Sequence, residues 1–110
     1  MSDTQERAAA MRRVTAARTE LNRLFTQEAE RPSIGPLAET QHVQRQVEAW
    51  AEFSEACRLA AHGYREASPP YVDLITQGRK AAEHVERLQV QLQVKQTELA
   101  RQQERLRGER

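Results

Sequence analysis

Proline and glycine are confined to a few places in this chain, and that spacing limits the fold more than any other feature. The four prolines stand in two clusters, Arg31-Pro32-Ser33-Ile34-Gly35-Pro36 and Ser68-Pro69-Pro70. A proline inside a helix removes a hydrogen bond and clashes with the preceding turn, so each cluster marks a break. Between and around them lie three long stretches free of proline. The sequence therefore predicts three helices, at about 3–30, 37–66 and 69–108.

The starts of these stretches carry helix signals. Ser2 followed by Gln5 fits a capping box, with Asp3 and Glu6 facing the positive end of the helix dipole. Gly35-Pro36 sets a permissive residue at the cap and proline in the first turn. Ser68-Pro69 repeats that pattern with a better capping side chain. Gly63 either ends the second helix early or sits inside it at a cost of about 1 kcal/mol.

Composition agrees with helices. Of the 110 residues, 16 are alanine, 15 arginine, 14 glutamate and 12 glutamine, and only five are aromatic. That bias excludes a β-sandwich, a collagen-like chain and a disulfide scaffold, since Cys57 is the sole cysteine. It leaves few bulky side chains to wall a substrate pocket, so the core is expected to be thin. No apolar run reaches the length of a signal-peptide core or the roughly 20 residues of a membrane span. Cytoplasmic location is the expectation; export without a leader, or incorporation into a virion, suits the same sequence.

Periodicity assigns the faces. In the first stretch Ala10, Val14, Ala17, Leu21 and Leu24 recur at intervals of four and three, with Met11 and Phe25 beside them. The second stretch carries two neighbouring stripes. One is Val43, Val47, Trp50, Ser54, Cys57, Ala61 and Tyr64; the other is Ala49, Phe53, Ala56 and Ala60. Together they span roughly 160° of the helix, wide enough for two neighbours. The second helix should thus hold the core, with Trp50 and Phe53 as its largest contributors. Ser54 is expected to bond back to its own preceding turn, and Cys57 to be a buried, inert thiol.

In the third stretch one heptad frame places Tyr71, Gly78, Val85, Leu92, Leu99 and Leu106 at a, and Leu74, Ala81, Leu88, Lys95 and Gln102 at d. The seam turns polar after Leu92. Gly78 reads as a point of close helix approach opposite a bulky residue such as Trp50, or as a hinge or kink near the start of the third helix. Val90 and Val94 lie off the seam, so this helix is apolar on more than one side. At 1.5 Å per residue it is roughly 60 Å long against roughly 40–45 Å for the others. An up-down-up bundle would leave a tip, about 97–110, projecting by about 15–20 Å. Along that tip Glu98–Arg101 and Glu104–Arg107 have the spacing of ion pairs.

No catalytic pattern emerges. His42, His62 and His84 never share i, i+4 spacing, so metal sites are not expected. Four glycines, at 35, 63, 78 and 108, build no phosphate-binding loop. No cofactor or small-molecule substrate is implied. Net charge is +1, which gives no general pull toward nucleic acid or lipid.

The fold class read from the sequence is all-α: a single three-helix bundle whose third helix is extended and coiled-coil-like. The function that suits it is a non-enzymatic interaction protein: an adaptor, chaperone or assembly subunit binding a helical partner or itself. Leu88, Val90, Leu92, Val94, Leu99 and Leu106 are the expected contact residues, with Arg87, Arg101 and Arg105 setting register from the rim. In build it resembles small accessory proteins of bacterial secretion systems and phage virions, a likeness of class only. The alternative is a nucleic-acid-binding accessory protein. Residues 79–110 carry eight basic and five acidic side chains, but glutamates are interleaved and no aromatic follows Tyr71 to stack on bases.

Overall fold

Where proline stops and the apolar stripes begin, the computed structural model, which describes residues 3–108, forms helices. They are α1 (Asp3–Glu30), α2 (Pro36–Ala61) and α3 (Pro69–Gly108). There is no strand among the described residues. The Ser2 half of the expected capping box lies outside them, as do residues 109 and 110 of the tip. Asp3 and Glu6 do occupy the first turn of α1.

Each break has a visible cause. After α1, the Ser33 backbone N–H and hydroxyl both donate to the Glu28 carboxylate, each at 2.8 Å. Gly35 then adopts φ 98°, a left-handed conformation that glycine enters freely, and Pro36 opens α2. At the other end α2 stops at Ala61, five residues before the expected limit. The N–H groups of His62, Gly63 and Tyr64 fold back on carbonyls three residues earlier, a tighter turn that closes the helix. Ala67 takes φ 68°, a position strained for any residue with a Cβ. Ser68 then caps α3, its hydroxyl accepting from the Tyr71 N–H at 3.4 Å.

The chain runs up-down-up, with α2 as its centre. Both α1 and α3 pack along α2, yet among the described residues no Cα of α1 comes within 8 Å of a Cα of α3. The core follows the predicted stripes: Val14, Ala17, Leu21 and Leu24 from α1, Ala49, Phe53, Ala56, Cys57 and Ala60 from α2, and Leu74 and Ala81 from α3. Small residues dominate, so the helices sit close and the core is thin.

Gly78 is a point of close approach, but Trp50 is not opposite it. A Cβ at Gly78 would lie 3.3 Å from the Ser54 carbonyl oxygen and 3.4 Å from Cys57 Cβ. Small side chains on both helices let the backbones meet there. Ser54 uses that proximity: its hydroxyl donates to the Gly78 carbonyl at 2.9 Å, not to its own preceding turn. Trp50 lies further along, its ring 4.6 Å from that of His84.

Toward its C-terminal half α3 passes the start of α2. Lys95, the polar d residue, reaches Glu39 at 3.3 Å. Two turns later α2 has no residues left to meet it. The molecule measures 64 × 25 × 24 Å, and its long axis matches the length of a 40-residue helix. No helix among the described residues is long and apolar enough to cross a membrane.

Candidate interaction surface

The predicted contact residues of α3 divide into two sets by face. Leu88, Leu92, Leu99 and Leu106 recur at intervals of four and seven, on the seam that meets α2. Val90 and Val94 point roughly 165° and roughly 130° away from its mean direction, at 100° per residue. Leu88 is 6 % exposed, so the chain itself uses it and it offers no open surface. Leu92 and Leu99 are half-buried. Val90, Val94 and Leu106 are 65, 52 and 59 % exposed.

The three arginines stand in solvent. Arg87 donates to His84 Nδ1 at 3.3 Å. Arg101 shares a shallow surface groove with Val90, Gln93, Val94, Thr97 and Glu98. Neither expected tip pair, Glu98–Arg101 or Glu104–Arg107, is closed among the described residues. The tip therefore has charges and apolar groups that its own chain does not use.

More exposed apolar side chains lie at this end of the bundle. Ile34 and Leu37, in the α1–α2 turn and the first turn of α2, stand largely in solvent. Both are at the level where α3 leaves α2 behind. The Glu28 cluster braces the same end. Its carboxylate is held below the ordinary range by the Ser33 backbone and hydroxyl hydrogen bonds, then by His42 and Arg45, against opposing desolvation. His42 Nδ1 lies 3.4 Å from that carboxylate, and the Gln46 amide lies 2.8 Å from His42 Nε2. Ser33 gives both its N–H and its hydroxyl proton to Glu28, so the cluster ties the turn to the end of α1.

A second feature escaped the sequence reading. Trp50 and Phe53 meet edge to face at 6.2 Å between centroids. They floor a shallow, open cleft of about 340 Å³, Phe53 almost wholly buried beneath it, whose α3 wall is Gln77, Lys80, Ala81, His84 and Arg87. From α1, the Arg18 guanidinium sits 5.5 Å from the Phe53 ring centroid and donates to Gln77 Oε1 at 2.9 Å. The available signal was the i, i+4, i+7 spacing of Lys80, His84 and Arg87, which puts three nitrogen-bearing side chains on one stripe.

Among the described residues, no group of three or more His, Cys, Asp or Glu side chains converges to hold a metal ion. Comparison of the chain with known protein families, curated proteins and solved structures returns no match.

Proposed function

We propose that this chain is a non-enzymatic, cytoplasmic interaction protein that binds a helical protein partner, or a second copy, through α3. It would serve as an adaptor, chaperone or assembly subunit. The observation that carries the reading is the unfinished seam. Leu99 is half-buried at the start of α2 and Leu106 continues the same stripe beyond it, while Val90 and Val94 stand open on the opposite side. Two apolar faces on one projecting helix suit a partner that pairs with it in coiled-coil fashion. Arg101 and Arg105 flank these faces and set register more than affinity.

The experiment is affinity purification from the cell that makes the protein, beside a Val94→Asp, Leu106→Asp variant. The reading predicts a stoichiometric companion, a different protein or a second copy, that survives about 0.5 M salt and is lost in the variant. Retention that collapses with salt and leaves nucleic acid as the bound species would favour the alternative reading instead. A companion equally retained by the variant would refute the seam.

A further inference from the structure

The cleft over Trp50 and Phe53 has a shape and a charge that the tip does not explain. Because α1 and α3 both lie on α2 without approaching each other closely, the side of α2 between them is only partly covered. A four-helix bundle would place its remaining helix in that position. Here the floor is aromatic, with Phe53 nearly buried and Trp50 half-buried. Phe25, seven residues after Arg18 and therefore on the same side of α1, is 58 % exposed.

The rim is basic. Arg18, Lys80 and Arg87 border the cleft, and no carboxylate lines it. Carboxylates close on four cations elsewhere among the described residues, Arg13, Arg23, Arg58 and Lys95. Among the described residues none of Arg18, Lys80 and Arg87 forms an ion pair with a carboxylate: Arg18 is held by Gln77, whose amide donates in turn to the Asp73 carboxylate at 2.7 Å one turn beyond the cleft, and Arg87 by His84. An apolar floor bordered by three cations complements an apolar stripe bordered by acids.

We propose that this cleft is a docking site for an acidic amphipathic helix of a partner protein, which lies between α1 and α3, sets apolar side chains on Trp50 and Phe53, and meets Arg18, Lys80 and Arg87 with glutamates or aspartates. The site is separate from the α3 tip and does not rest on the proposed use of that tip.

Trp50 is the only tryptophan, so its emission reports on this cleft alone. The probe is a synthetic peptide of about five helical turns, with leucine at a and d, glutamate at e and g and alanine elsewhere; its partner probe carries lysine for every glutamate. The full chain is titrated with each. The expected result is a saturable blue shift of Trp50 emission with the glutamate peptide in the micromolar range and none with the lysine peptide. A Lys80→Glu, Arg87→Glu variant should weaken binding by about tenfold or more, with its helicity checked by circular dichroism. If that variant does not fold, the wild-type affinity measured from low to high salt replaces it and must fall steeply. The proposal is overturned by no shift up to about 1 mM peptide, by equal binding of both peptides, or by affinity indifferent to both charge reversal and salt. A Trp50 shift with anionic phosphatidylglycerol vesicles while the glutamate peptide stays silent would also overturn it.

Discussion

Replacing Gly78 with leucine tests the contact that sets the spacing of α2 and α3. A Cβ there would stand 3.3 Å from the Ser54 carbonyl oxygen and 3.4 Å from Cys57 Cβ. The first of these belongs to the middle of a helix backbone and has little freedom to move. The rest of the leucine side chain must then push α2 away. Overpacking of this kind costs about 1–3 kcal/mol. Widening the interface also breaks the Ser54 hydrogen bond to the Gly78 carbonyl, worth about 1 kcal/mol. Leucine's better helix propensity returns about 1 kcal/mol. The net loss is about 1–3 kcal/mol, which for a domain of this size lowers the melting temperature by about 4–12 °C. Thermal unfolding followed by circular dichroism at the helical band measures it. Gly78→Ala, which adds only the Cβ, should stay within about 1 kcal/mol of wild type, because propensity and crowding oppose each other. Gly108→Leu is the control, since nothing lies within 4 Å of a Cβ there. If Gly78→Leu melts at or above the wild-type temperature, or falls no further than Gly108→Leu, the close approach at Gly78 is not what holds these helices together.

Two further outcomes follow from buried or tied groups. Cys57 is fully buried, and desolvation raises its thiol pKa above the ordinary 9.0; it should resist a thiol reagent in the folded chain and react at once in denaturant. The same shift makes the thiol's contribution to stability complete below that ordinary value and lost as pH climbs through the folded-state value, so the unfolding midpoint should fall in alkali, and less so in Cys57→Ala. Glu28 is shifted the other way, chiefly by its bonds from Ser33; its contribution is present above its ordinary value of 4.5 and fades as pH falls through the lower folded-state value. Glu28→Ala should therefore speed amide exchange across residues 31–35 at neutral pH and remove that acid dependence, and unchanged exchange would show that the carboxylate does not brace the turn.

The fold was legible because its limits are set by local chemistry. Pro36, Pro69 and Pro70 cannot sit inside helices, and the two stripes of α2 needed two neighbours. The end of α2 was less legible: the sequence has Gly63 but no proline before Pro69, and the tight turn at residues 62–64 depends on how the chain must double back. Periodicity also says which face is buried without saying what meets it. Gly78 read as a small residue facing a large one, yet it meets Ser54 and Cys57, and the hydroxyl of Ser54 crosses to α3. Trp50 read simply as core. Its role at an open cleft depends on α1 and α3 staying apart, a matter of packing angle that no repeat in the sequence records. The contact set on α3 was partly legible for the same reason: Leu88 and Leu106 share a stripe, but where α2 begins decides that one is buried and the other free.

A partner bound along the outer half of α3 should be captured in place by site-specific photo-crosslinking. A benzophenone amino acid placed at Val94 or at Leu106, in the cell that makes the protein, should give one discrete adduct on irradiation, with a partner chain or a second copy. The same group at Arg12, exposed on α1, should give none. Adducts absent from 94 and 106, or equally abundant from position 12, would contradict the assignment of α3 as the binding element.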